Sequence, residues 1–182
     1  MKKVQSMDPK EKLGKALYHL LEKKHLKDIS VEEIARDAGM KEEDFNREFK
    51  SKKAAAHWVY LHILARHGRD ILKSRCWSEA LYKKFLLYQA NLKFLQNLYV
   101  SCDIEDIRQT NRRFVRDAYH LMLKKAGADL NNPHIQFATE MVIYGGEEMT
   151  MRWILDGMKV PIEVMLVLFQ ESIPLIISQY FY

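Results

Sequence analysis

The chain has 182 residues, 48% apolar and 29% charged, a balance that excludes a disordered or fibrous protein. Seven glycines and four prolines are too few for the turns of an all-β fold, and nine methionines favour helix. The formal charge of +5 permits an anionic partner and requires none.

Asp8-Pro9-Lys10-Glu11 opens a first helix with an N-cap acceptor, proline at the first helical position and a glutamate placed for a capping box. Leu13, Ala16, Leu17, Leu20 and Leu21 then mark one buried stripe, and the helix is expected to end near His25. Ser30-Val31-Glu32-Glu33 repeats the capping-box chemistry ahead of a short helix that buries Val31, Ile34, Ala35 and Ala38 and stops at Gly39. A third short segment sets Phe45 and Phe49 four residues apart, on one side of a helix. From Ser51 a long helix runs to about Ser74, with Ala56, Val59, Tyr60, Ile63, Leu64 and Ile71 facing inward.

Past Trp77 the side chains become larger, and Asn91 is expected to cap a helix containing Phe94, Leu95 and Leu98. A further helix runs from a cap at Asp103 through Ile107 and Phe114 to Gly127. Two long patterns follow, Pro133 to Gly157 and Pro161 to the last residue, the second bent at Pro174. No strand alternation appears. The expected fold is all-α: a three-helix helix-turn-helix domain over 1–55, then a larger helical-bundle regulatory and dimerisation domain over 56–182.

Met1-Lys2-Lys3 has no apolar core behind it, as a secretory signal would, so a cytoplasmic location is expected. The most apolar stretch, Ile162 to Ile177, is interrupted by Gln170-Glu171-Ser172 and falls short of the roughly 20 apolar residues of a membrane span, so no membrane association is expected. Cys76 and Cys102 are too few for a disulfide framework or zinc site and read as reduced structural residues. His57, His62 and His67 recur every five residues, which turns each about 140° around the helix and prevents a shared metal. With no glycine-rich phosphate loop and no nucleophile elbow, neither catalysis nor a cofactor is expected.

Two short helices joined through Gly39 match the helix-turn-helix plan, in which the second member enters the DNA major groove. Ala35 and Gly39 are small where the helices cross, and Ser30 offers a hydroxyl and a helix N-terminus to a phosphate. Ile29-Ser30-Val31-Glu32-Glu33-Ile34-Ala35-Arg36-Asp37-Ala38-Gly39-Met40 resembles the second helix and turn of TetR-type transcriptional repressors, and Phe49-Lys50-Ser51-Lys52 resembles the family's join into helix four. Tyr88 to Leu98 and Arg152-Trp153-Ile154-Leu155-Asp156-Gly157 are similar to the regulatory domain of the dihydroxyacetone-kinase-regulator branch. The resemblance implies an all-helical homodimer that binds a palindromic double-stranded DNA operator, is expected to act as a repressor, and answers to a small-molecule effector or protein co-regulator in its C-terminal domain.

On that plan Lys41, Asn46 and Arg47 reach base edges or nearby phosphates, while Ser30 and Lys52 sit on the DNA backbone. The sequence departs from the family at Lys41-Glu42-Glu43-Asp44. Residues 31–50 carry four basic and seven acidic groups, and the basic excess lies in the flanks, 1–30 and 51–70. This acidity keeps a second reading open: a helical dimeric interaction module that retains the helix-turn-helix shape without reading DNA. For the regulatory domain, Tyr88, Phe94, Phe114, Tyr144, Met149 and Trp153 are the candidates to line an apolar effector pocket. Gly145-Gly146 needs a reason such as a close helix crossing, a ligand or a dimer contact. Ile162, Met165, Phe169, Ile173 and Ile176 are the expected dimer interface, because the last helical segments are apolar on more than one face.

Overall fold

The computed structural model describes residues 8–101 and 104–181. Cys102 and the expected cap Asp103 lie outside them. All regular structure among the described residues is helical: α1 (Pro9–Leu21), α2 (Val31–Asp37), α3 (Glu42–Glu48), α4 (Lys52–Leu72), α5 (Trp77–Ala90), α6 (Leu92–Tyr99), α7 (Glu105–Lys125), α8 (Pro133–Leu155), α9 (Ile162–Glu171) and α10 (Leu175–Ser178), with a 3₁₀ turn at Leu26–Asp28. Among them, no helix is long and apolar enough to cross a membrane.

The stops follow the glycines. Gly39 adopts φ +67°, where a Cβ would be strained, and the Gly39 and Met40 N–H groups donate to the Arg36 and Ala35 carbonyls at 3.0 and 2.8 Å. The same pair of bonds closes α7 at Gly127 and α8 at Gly157. The starts are less regular than the sequence suggests. Asp8 makes no side-chain cap, and of the box expected at Ser30 only half forms: Ser30 Oγ accepts from the Glu33 N–H at 3.0 Å, while the Glu33 carboxylate turns to Lys24 Nζ at 2.6 Å. Asn132 caps α8, its Oδ1 accepting from the His134 N–H.

Three expected boundaries shift. α1 ends at Leu21 instead of near His25, because Asn97 Nδ2 takes the Leu21 carbonyl at 2.7 Å and the chain then enters the 3₁₀ turn. Asn91 is the C-cap of α5, its amide donating back to the Leu87 carbonyl. The last segment is broken instead of bent: α9 stops at Glu171, and Pro174, which cannot donate to a preceding turn, becomes the N-cap of α10.

The chain forms two compact units, one reaching Ala65 and including Lys93–Ile104, the other Arg66–Leu92 with Glu105–Tyr182. This boundary lies ten residues beyond the expected cut at 55/56, both falling inside α4, and α6 from Lys93 onward belongs with the first unit. The core of that unit includes Leu13, Leu17, Leu21, Ile34, Phe45, Phe49, Ala56 and Tyr60 from α1 to α4. Phe94, Leu95 and Leu98 of α6 complete it, with Phe94 stacked on Tyr18 at 5.1 Å. In the second unit Trp77, Tyr119, Leu123, Ile135, Ile173 and Ile177 form one buried cluster.

Gly14 explains a local fit in the first unit. The Trp58 ring of α4 lies directly over it, so a Cβ there would overlap the ring. Trp58 in turn meets Phe49 edge-on and His62 face-on, and Lys10 Nζ stands 5.2 Å from the Phe49 ring. Gly14→Ala is expected to destabilise by about 1–2 kcal/mol despite alanine's better helix propensity, lowering the midpoint of a thermal melt by roughly 2–8 °C. An unchanged or higher midpoint would show that the ring moves aside without cost.

Candidate functional site

The first unit presents α3 on a fixed platform. Phe45 turns inward and is buried, with the Phe49 ring 5.5 Å away, so Asn46 and Arg47 stay on the solvent side with Lys41 at the helix start. The acidic run is partly occupied in building the helix. Asp44 Oδ2 accepts from the Lys41 N–H at 3.1 Å, and its other oxygen lies 3.3 Å from Arg47 Nη2. Glu42 and Glu43 also lie in the first turn, where the helix dipole favours negative charge, and both are exposed.

Among the expected DNA contacts, Ser30, Lys41, Asn46 and Arg47 are exposed on α2, the turn and α3. Lys52 is placed differently. Its ammonium donates to the carbonyls of Leu26, at 3.1 Å, and Ile29, joining the start of α4 to the 3₁₀ turn and the segment that delivers Ser30. The amine expected at a DNA phosphate thus holds α2 in register with α4. The Lys24–Glu33 pair, half-buried, fixes the α1–α2 connection in a similar way. The Lys52 role does not show in the sequence, because its partner carbonyls lie more than 20 residues away.

The six residues expected around an effector do not converge. Phe94 belongs to the first unit, in its core. In the second unit Tyr144 and Met149 are exposed, while Tyr88 and Trp153 fill the interior. The Trp153 ring meets Phe85 at 4.9 Å and its N–H donates to the Val160 carbonyl. Of the six, Phe114 lines a small half-open cavity of about 50 Å³ walled by α5, α7 and the end of α4.

Beside it runs a buried ionic group that the sequence reading missed. Glu147 is 9% exposed, and its Oε2 lies 2.7 Å from Arg112 Nη1 and 3.5 Å from Arg108 Nη2. Burial disfavours the charge on Arg112, but Glu147 and then Glu105 hold it protonated beyond its ordinary range. Tyr88 donates its hydroxyl to Asn111 Oδ1 at 3.0 Å. Lys84 is half-buried with its ammonium 5.4 Å from the Tyr88 ring. Desolvation lowers its pKa to about 7, against the attraction of Glu147. A signal was available: Glu147 shares the stripe Ile143, Thr150 and Ile154, and Lys84 the stripe Trp77, Ala80 and Leu87, so each places a charge at a buried register.

The expected interface residues also turn elsewhere. Ile162, Met165 and Ile173 are buried within the second unit, Phe169 packs on Phe85 and over Gly146, and Ile176 alone is exposed. A Cβ on Gly146 would come within 3.1 Å of the Phe169 ring, so the close helix crossing accounts for this glycine; Gly145 faces open space. The uncovered apolar surface of α8, α9 and α10 includes Phe137 (70% exposed), Met141 (58%), Tyr144 and Met149 on α8, with Val164, Val167 and Leu168 on α9 and Leu175 on α10. Among the described residues, no group of three or more His, Cys, Asp or Glu side chains is placed to hold a metal.

No curated protein matches the sequence. Solved structures share the fold, two of them as follows. The dihydroxyacetone kinase operon activator DhaS is similar at a TM-score of 0.69 and 16% identity over 92% of this chain and 97% of that one. The transcriptional regulator FadR from Bacillus subtilis, in complex with stearoyl-CoA, is similar at 0.63 and 16% over the same shares. Residues 75–174 match the model of the TetR-type "Transcriptional regulator C-terminal region". That match spans more than half of the sequence and lies outside the helix-turn-helix that first suggested the family, so the chain belongs to the TetR-type transcriptional regulators.

Proposed function

We propose that this regulator acts in the cytoplasm as a homodimer that binds a palindromic DNA operator through α2 and α3, with binding adjusted by a small molecule in the second unit. The observation that carries the reading is the α2–α3 pair. Its turn is fixed by Gly39, its inner side by Phe45, and its outer side offers Lys41, Asn46 and Arg47. Ser30, exposed at the amino end of α2, would donate its hydroxyl to a phosphate in this scheme. Lys52 is a positioning residue in this scheme. The exposed stripe Phe137, Met141, Tyr144, Met149 supplies an apolar face of the kind a twofold helical interface covers, and exposed Gly145 lets a second helix approach closely there. Such a dimer represses wherever its operator covers a promoter. Effector binding draws support from the FadR fold having been solved with stearoyl-CoA.

Exposed Glu42 and Glu43 favour one alternative, a dimeric interaction or co-regulator module that does not read DNA. Fluorescence anisotropy with duplexes selected from genomic fragments separates the two. The operator reading expects salt-sensitive binding that Arg47→Ala weakens by about 1–3 kcal/mol, roughly 5- to 150-fold. Absence of salt-sensitive binding to every fragment at low salt, with binding gained on Glu42→Gln/Glu43→Gln substitution, would establish the alternative instead.

A further inference from the structure

The cavity of about 50 Å³ in the second unit is walled by Ile71, Trp77, Leu81, Phe114 and Met122, with Lys84 on the same wall. Phe114 is fixed there by Gly68 of α4, where a Cβ would come within 3.1 Å of the ring. A lining this apolar gives no reason for a lysine, since leucine or methionine would fill the register without the cost of desolvating an ammonium. Nor is Lys84 half of an internal pair. Glu147, the carboxylate that attracts it, is bonded to Arg112, and among the described residues Lys84 has no carboxylate within ion-pair distance. Arg112 has two carboxylate partners, Glu147 and Glu105, whereas half-buried Lys84, on the wall of an apolar pocket, has no ion-pair partner among the described residues.

We propose that this cavity takes a small carboxylate with a short hydrocarbon tail, the tail packing against Trp77, Phe114 and Met122 and the carboxylate pairing with the Lys84 ammonium. The unpaired Lys84 ammonium favours an anion, and the aromatic wall favours an apolar body. The volume, room for about four water-sized groups, limits the tail to a few carbons. The inference rests on the effector reading above and gives that effector a chemical class.

Butyrate and its neutral isostere butyramide test it by isothermal titration into the full-length protein without DNA. Saturable butyrate binding is expected, roughly millimolar for so small a ligand, with butyramide at least tenfold weaker. Lys84→Met should abolish the preference for the anion while leaving the protein folded. Ala118 of α7 also lines the cavity, so Ala118→Leu, which fills it and keeps the charge, should abolish binding of both. Three outcomes overturn the proposal: no saturation by butyrate, equal affinity for butyramide, or butyrate affinity unchanged in Lys84→Met. Chloride competing as effectively as butyrate would also overturn it, by reducing the site to a bare anion site. Because the titration needs no operator, failure of DNA binding and failure of carboxylate binding are separate results.

Discussion

Glu147→Ala is expected to destabilise the protein by about 3–5 kcal/mol, the range measured when one member of a buried ion pair is removed. Glu147 is the only buried acid within reach of Arg112 and Arg108 among the described residues, and it also attracts Lys84. Without it, Arg112 keeps only the half-exposed Glu105, and Lys84 loses its compensating field altogether. At roughly 2–4 °C per kcal/mol for a chain of this size, the melting midpoint should fall by about 6–20 °C. Glu147→Gln keeps an acceptor for Arg112 and should lose less. In the double variant with Lys84→Met, part of the loss should return, because one of the stranded cations has been removed. A loss below about 1 kcal/mol for Glu147→Ala would mean that water reaches the group and screens it.

Stability should rise with pH above neutrality. The Lys84 pKa is about 7 in the folded protein and about 10.4 in an unfolded chain. Below pH 7 both states hold the proton, so the cost of the desolvated ammonium is present in full. Between about 7 and 10 the unfolded chain binds one proton more than the folded protein, and linkage adds up to about 1.4 kcal/mol of stability per pH unit. Tyr88, Tyr119 and Arg112 are the other titratable groups of α5 and α7 close to this region. Burial raises the Tyr119 phenol, so ionisation of that phenol in the unfolded chain reverses the trend near pH 10. The Cys76 thiol, lowered by the Ser78 hydroxyl and backbone N–H groups at the start of α5, acts in the same direction as Lys84, so the measurement belongs in a Cys76→Ser background. There, urea unfolding of Lys84→Met should show a flatter profile and a gain of about 1–4 kcal/mol at pH 7. An identical slope with and without Lys84 would refute the assignment.

Local chemistry made much of the fold legible. Gly39, Gly127 and Gly157 mark helix ends because each occupies a left-handed position. The stripes of α1, α2 and α4 predict cores that are buried as expected, Leu13, Leu17, Ile34, Ala56 and Tyr60 among them. What stayed illegible depends on partners distant in sequence. Asn97 ends α1 from 76 residues away, Ser101 accepts from the Leu26 N–H from 75, and neither side chain carries a local sign of it. For the candidate site, periodicity placed Asn46 and Arg47 outside and Phe45 inside. It has no means of learning that the Lys52 ammonium is taken by backbone carbonyls. The aromatic list failed as a pocket for a related reason: rings recurring at helical spacing share a helix face, while a shared cavity depends on which helices pack together. The charged residues at buried registers, Lys84, Arg112 and Glu147, carried more information than the aromatic ones.

The assignment of α6 bears on how this protein can be dissected. The chain leaves the first unit within α4, returns for Lys93–Ile104, and leaves again before α7. A fragment that stops after α4 would lack Phe94, Leu95 and Leu98 and would present the Tyr18 ring, the Leu21 carbonyl and the Leu26 N–H to water. The reading head is therefore not a cassette. A hybrid that grafts it onto another regulator's C-terminal domain inherits a foreign α6, and its success depends on whether that helix supplies an aromatic at position 94 and an amide at position 97.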